Sequence, residues 1–241
     1  MSPRHIIWIA AFLLAALPAV AEPQSLGPKA AKGLIIHTVA EDAAEALSPT
    51  LMRLRDEGWD VEINRVSVDF AKERELATPL FERTRSAEAE GYAKVVLAGE
   101  SFGAWISLLA NSSWTTPVER GHLFALIAMD ASAASLGSAT SGRWYEYKFM
   151  NVLKSQDATR LAVFLYDAPP EDRLAREDEI RRMLANPERY RLLSVESVAA
   201  AGPEGPHSTA FMHRWEPCLV ALLADAAPAA CVPEPRAAPP K

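Results

Sequence analysis

Lys94-Val95-Val96-Leu97-Ala98-Gly99-Glu100-Ser101-Phe102-Gly103-Ala104 is the stretch that decides how this chain folds. Val95 to Ala98 form a continuous apolar run, as expected of a strand covered on both faces of a parallel sheet. Gly99-Glu100-Ser101-Phe102-Gly103 follows as G-x-S-x-G, and an apolar helical stretch runs from Phe102 to about Asn111. A strand that turns straight into a helix at a serine is tight, so the flanking positions must lack bulky side chains. The strain lifts the hydroxyl clear of the sheet and puts the next backbone N–H at a helix N-terminus, aimed at developing negative charge. The five-letter pattern alone is weak, because glycine and serine are common; the preceding strand and following helix are the context it requires.

Outward from this point, strands alternate with helices. Gly33 to His37 reads as a first strand, and Ser48-Pro49 as an N-cap with proline at the first helical position of a helix that stops at Gly58. Trp59 to Val66 alternates apolar with polar, the pattern of a half-exposed strand near a sheet edge. A helix is expected from about Pro79 to Glu90, ending at Gly91. His122 to Met129 and Leu161 to Tyr166 are two more apolar runs, separated by an aromatic-rich helical segment from Trp144 to Leu153. Asp178 to Leu184 reads as helix, Tyr190 to Val195 as a last strand and Thr209 to Ala224 as a last helix. This alternation implies right-handed crossovers and an α/β fold, with a mostly parallel central sheet and helices on both faces.

Val95 to Ala104 resembles the central strand, nucleophile elbow and following helix of the α/β-hydrolase superfamily. The resemblance covers nearly the whole chain in strand order more than in residues, and no subfamily emerges. It implies a serine hydrolase with Ser101 as nucleophile, and a chain order of serine, then acid, then histidine. His207 stands where that order expects the base, in a Gly- and Pro-rich loop between the last strand and the last helix. His213 is the competitor, but its place inside the last helix suits a packing or surface residue. The acid is expected beyond the Leu161 to Tyr166 strand. Asp172 fits best, Asp167 is the alternative, and Glu171 lies between them; each can equally be turn chemistry or a helix cap.

The resemblance also implies an oxyanion hole of two main-chain N–H groups. Phe102 would supply one, and the loop after the first strand, at Val39 or Thr38, the other. Relatives often carry glycine there, whereas this chain has His37-Thr38-Val39-Ala40-Glu41. Losing one donor would lower the rate by ~10²–10³. Trp144, Tyr145, Tyr147, Phe149 and Met150 sit where such a fold often carries a pocket wall, though a helix burying an aromatic stripe gives the same pattern.

The ends of the chain read differently. Arg4, the apolar run Ile6 to Leu17 and the small residues Ala19-Val20-Ala21 form a signal peptide over residues 1–21. The run falls short of the ~20 residues of a spanning helix. Residues 22–32 read as a linker, 33–226 as the α/β domain and 227–241 as a Pro/Ala-rich tail. The expected product is exported, to the periplasm or beyond, with no stable membrane span after cleavage. There Cys218 and Cys231 would form a disulfide. The net charge of −6 becomes −7 once Arg4 leaves, which argues against nucleic acid as a partner. No metal-ligand spacing is present, so neither metal nor cofactor is expected. Asn111-Ser112-Ser113 matches a glycosylation acceptor, a pattern too common to use.

Two functions are therefore expected to compete. One is an esterase or thioesterase acting on a small acyl substrate through Ser101, His207 and Asp172. The other is a catalytically silent α/β-hydrolase-like protein that binds a ligand or an envelope partner.

Overall fold

The computed structural model describes residues 32–41, 49–113, 123–129, 131, 141–156, 160–164 and 209–224. Five strands form one parallel sheet: β1 (Leu34–Ala40), β2 (Asp60–Val66), β3 (Val95–Glu100), β4 (Ala125–Met129) and β5 (Arg160–Phe164). The order across the sheet is β2-β1-β3-β4-β5. The chain moves from β1 outward to β2, then crosses back to place β3 on the other side of β1. That reversal between β1 and β3 is where the C-terminal ends of strands splay and open α/β sheets bind their ligands.

Five helices are described: α1 (Pro49–Asp56), α2 (Glu73–Ala89), α3 (Phe102–Ala110), α4 (Ser141–Lys154) and α5 (Thr209–Leu223). Strand alternation divides the core in two. Leu34, Ile36, Val95, Leu97, Leu126, Leu161 and Val163 pack with α2, α3 and α4. Ile35, Val96, Ala98, Ile127, Met129 and Ala162 pack on the opposite face with α1 and α5. Val95 to Ala98 are buried on both faces, as the apolar run requires. β2 has one neighbour among the described strands and is partly exposed along most of its length, Ile63 included; only Val66 is buried.

Several boundaries differ from the expectation for physical reasons. The second helix starts at Glu73 and not at Pro79, which lies inside it. Pro79 points outward to solvent, so the helix loses one N–H bond there without a core clash. Its buried stripe of Ala77, Leu80, Thr84 and Ala87 is continuous, and Glu73 and Glu75 in the first turn complement the helix dipole. β1 runs on to Ala40 because β2 keeps pairing with it through Ala40↔Val66. Phe149 and Met150 are buried core residues of α4, which bears out the packing reading for that pair. Asn111 is only 7% exposed and its amide donates to Gln156 Oε1 at 3.1 Å, so its side chain is not presented for glycosylation in the folded state. Among the described residues no helix is long and apolar enough to cross a membrane. The expected signal segment, the helix at 178–184, the strand at 190–195 and the tail lie outside the described residues.

One buried cation anchors α5. Arg160, 3% exposed at the start of β5, donates to the Leu222 carbonyl at 2.6 Å and to the Ala224 carbonyl, and lies 4.3 Å from the Phe124 ring centroid. It therefore meets both the orphan carbonyls and the negative dipole at the helix C-terminus. Arg160→Met is expected to lower stability by about 3 kcal/mol, since it strands those carbonyls. A urea midpoint equal to wild type would show that the helix end needs no cation.

Candidate active site

Ser101 lies one residue beyond β3, at the splayed strand ends. Its backbone sits at φ 52 and ψ −122, the one positive φ found at a non-glycine among the described residues. Its N–H donates to Met129 O at 2.9 Å and its carbonyl accepts from Trp105 N–H at 3.2 Å, so sheet and helix pull on the same residue. The hydroxyl makes no capping bond to α3, although serine commonly caps helices in that way. Ser101 remains half-exposed at the rim while every residue from Phe102 to Ala110 is buried.

The motif glycines are required by contact. A Cβ on Gly99 would lie 2.6 Å from Gly103 O and 2.7 Å from Ala104 N. A Cβ on Gly103 would lie 2.1 Å from Thr38 O and 2.9 Å from Val39 N. Gly103 thus lets the first turn of α3 press directly onto the end of β1.

Which main-chain N–H groups beside the elbow are already bonded follows from the strand ladder. Leu34 N–H donates to Lys94 O and Glu41 N–H donates to Val66 O, each at 2.9 Å. In a parallel ladder successive residues turn their main-chain groups to opposite neighbours. Even residues of β1 therefore face β3 and odd residues face β2. Thr38 N–H is engaged with β3 in the Thr38↔Gly99 rung, and Val39 N–H with β2 in the Val39↔Arg65 rung. The ladder thus occupies both groups expected as second donor. Ala40 is the first residue beyond the last β3 rung whose N–H turns to the elbow side. Only the register reveals which N–H groups the ladder consumes. Phe102, as the first residue of α3, has no intrahelical partner for its N–H.

The surroundings hold the elbow from both faces. On the α2 side, Phe70 meets the Phe102 ring edge-on at 4.9 Å. Trp105, fully buried one turn above Ser101, donates its indole N–H to Glu73 Oε2 at 2.9 Å. Glu73 also pairs with Lys148, whose ammonium lies 5.4 Å from the Trp105 ring centroid, and Phe149 stacks on Trp105 at 6.5 Å. α2, α3 and α4 are thereby tied behind Ser101. On the α5 side, Thr50 and Arg53 of α1 bond the buried Glu216.

His37, on that same side, is 3% exposed and its Nδ1 has no hydrogen-bond partner among the described residues. Burial lowers its pKa to about 4, against the upward pull of the Glu100 carboxylate. It is a neutral core imidazole, unsuited to act as a base. His207, Asp172, Asp167, Glu171 and Cys231, together with the His213 side chain, lie outside the described residues. Cys218 is buried on α5. Among the described residues no group of His, Cys, Asp and Glu could hold a metal ion.

Two outcomes follow. Relief of the positive φ should make Ser101→Gly about 1 kcal/mol more stable than wild type while it removes the hydroxyl; a less stable variant in urea would mean the elbow is unstrained. His37 takes up protons more readily unfolded than folded. Its contribution is full above about pH 6.5, is lost as pH falls towards about 4, and changes little below that. The loss amounts to about 3 kcal/mol. Denaturation midpoints of wild type and His37→Leu across this window should show the variant's pH slope flattened; equal slopes would exclude His37 as the source.

No protein-family model matches the chain, and no curated protein matches it. Solved structures do match. An esterase from Pyrococcus furiosus superposes with a TM-score of 0.51 at 14% identity, over 80% of this chain and 82% of that one. A truncated carbohydrate esterase from gut microbiota superposes with a TM-score of 0.51 at 14% identity, over 82% and 86%. At that identity the likeness speaks for architecture, and it agrees with the parallel sheet, the strand order and the elbow described above: this chain has the α/β-hydrolase fold.

Proposed function

We propose that the chain is an exported serine hydrolase that cleaves a carboxyl ester or thioester through a Ser101–His207–Asp172 acyl-enzyme mechanism. The observation that carries the proposal is the strained Ser101 at the splayed end of the sheet, its hydroxyl not spent on capping the helix. Such backbone strain at a rim position serves no packing purpose and is typical of reacting groups. In sequence, His207 precedes the start of α5 by two residues, which suits delivery of an imidazole from the α5 end of the domain.

In this mechanism His207 accepts the Ser101 proton as the serine oxygen attacks the acyl carbonyl carbon. The negative charge that develops on the carbonyl oxygen is met by the N–H groups of Phe102 and Ala40. His207 then returns the proton to the departing alcohol or thiol, leaving an acyl-serine. A water molecule, deprotonated by His207, attacks that ester and frees the carboxylic acid and Ser101. Asp172 keeps the imidazole in the required tautomer and stabilises it when charged. Export through residues 1–21 and a Cys218–Cys231 bridge belong to the same proposal. A second reading, a silent protein of this fold that binds a small ligand or an envelope partner, is favoured by one observation: Thr38 and Val39 have their N–H groups in the ladder.

A fluorophosphonate probe separates the two. Folded wild type should be labelled and Ser101→Ala should not; an unlabelled wild type would favour the silent reading. Asp172→Asn should lower turnover by ~10²-fold or more without unfolding the protein, and Asp167→Asn should have little effect. The reverse ranking would move the acid to Asp167. The same preparation, unfolded without reductant, should contain no free thiol, and two free thiols would refute the bridge.

A further inference from the structure

The donor assigned to Ala40 raises a question that the serine mechanism leaves open: what holds a main-chain N–H in place at the frayed end of a strand. On the β3 side nothing continues the ladder past Thr38↔Gly99, whereas on the β2 side pairing runs on to Ala40↔Val66. The next residue, Glu41, is then fastened at three points to the exit of β2. Its N–H donates to Val66 O at 2.9 Å, its carbonyl accepts from Arg65 Nη1 at 3.2 Å, and its carboxylate accepts from Ser67 Oγ at 2.5 Å. Below it, the buried Thr38 hydroxyl accepts from Asn64 Nδ2 at 3.4 Å. Every one of these partners belongs to β2 or the residue after it.

We infer that Glu41, Arg65 and Ser67 are positioning residues that set the Ala40 N–H as an oxyanion donor from the β2 side. This inference rests on the serine-hydrolase reading and adds a set of residues to it. The physical argument is one of compensation. Residues 38–41 contain no glycine and adopt no positive φ, so no special backbone conformation shapes the turn. The peptide between Ala40 and Glu41 is fixed instead by fastening the residue that follows it. The Ala40 N–H lies in the planar Val39–Ala40 peptide, which the β2 ladder holds on the Val39 side, and fixing the Glu41 N–H and C=O limits the rotations of Ala40 on the other side. Hydrogen bonds of this exposed kind contribute little to global stability. Their effect falls on the direction of one N–H, and displacement of a reacting geometry by about 1 Å can lower a rate ~10²-fold.

The test uses the full chain with p-nitrophenyl acetate as substrate, phenylboronic acid as a tetrahedral oxyanion mimic and a fluorophosphonate as label. Glu41→Ala and Ser67→Ala each remove the carboxylate–hydroxyl bond, Arg65→Ala removes the bond to the Glu41 carbonyl, and Glu41→Gln keeps an acceptor for Ser67. The expected result for each alanine variant is a roughly tenfold lower kcat with KM nearly unchanged. Phenylboronic acid should weaken by a similar factor, the melting temperature should stay close to wild type, and Glu41→Gln should recover most of the rate. Unchanged kcat and boronate affinity in Glu41→Ala and Ser67→Ala overturn the inference. So does a rate loss matched by a loss of folded protein. If wild type itself takes no label at Ser101, the serine-hydrolase reading fails and the inference falls with it; labelled wild type with indifferent variants overturns the inference alone.

Discussion

The site depends on one contact: the Cα of Gly103 lies against the main chain of Thr38 and Val39, where a single added carbon would stand 2.1 Å from the Thr38 oxygen. Through it the first turn of α3 and the last turn of β1 become one rigid body. Ser101 heads the first and Ala40 ends the second, so the separation between Ser101 and the strand end is set by backbone against backbone. Side chains can change rotamer, whereas two apposed main chains cannot without moving whole elements. The positive φ of Ser101 persists because β4, through Met129 O, and α3, through Trp105 N–H, both hold it.

Around that contact the molecule divides its labour between faces. The α2/α3/α4 face fixes the helix after Ser101 through Trp105, whose indole N–H bonds Glu73 and whose ring meets the Lys148 ammonium and stacks with Phe149. A part-buried ion pair such as Glu73–Lys148 adds little net stability, since desolvation offsets much of its attraction, but it ties α2 to α4 beside Trp105 of α3. The α1/α5 face fixes the helix that follows the His207 loop in sequence. Arg160 holds its C-terminal end and Glu216 ties its middle to α1. Both elements expected to deliver reacting groups thus arrive on helices anchored away from the rim.

Much of this was legible in the residues. Val95 to Ala98 read as a strand covered on both faces, and a serine between Gly99 and Gly103 at its end read as a tight turn into a helix. The alternation from Trp59 to Val66 marked an edge. Pro79 misled, because a proline that begins a helix and a proline on the outer face of one look alike until the buried stripe beside it is known. The same limit applied to Phe149, since an aromatic stripe reads identically whether it lines a pocket or a core.

What the sequence determined alone is therefore local: strand and helix periodicity, the glycine-flanked serine, and an order of serine, carboxylates and histidine along the chain. These are properties of neighbours in the chain, and steric and hydrophobic rules act on neighbours directly. Only the tertiary structure decided which main-chain groups remain free. Whether Thr38, Val39 or Ala40 offers its N–H to the elbow depends on ladder register with two strands drawn from distant parts of the chain, and a shift of one residue would exchange their roles. Hydrogen-bond direction alternates along a strand irrespective of side chain, so no residue type in that stretch could have announced the answer.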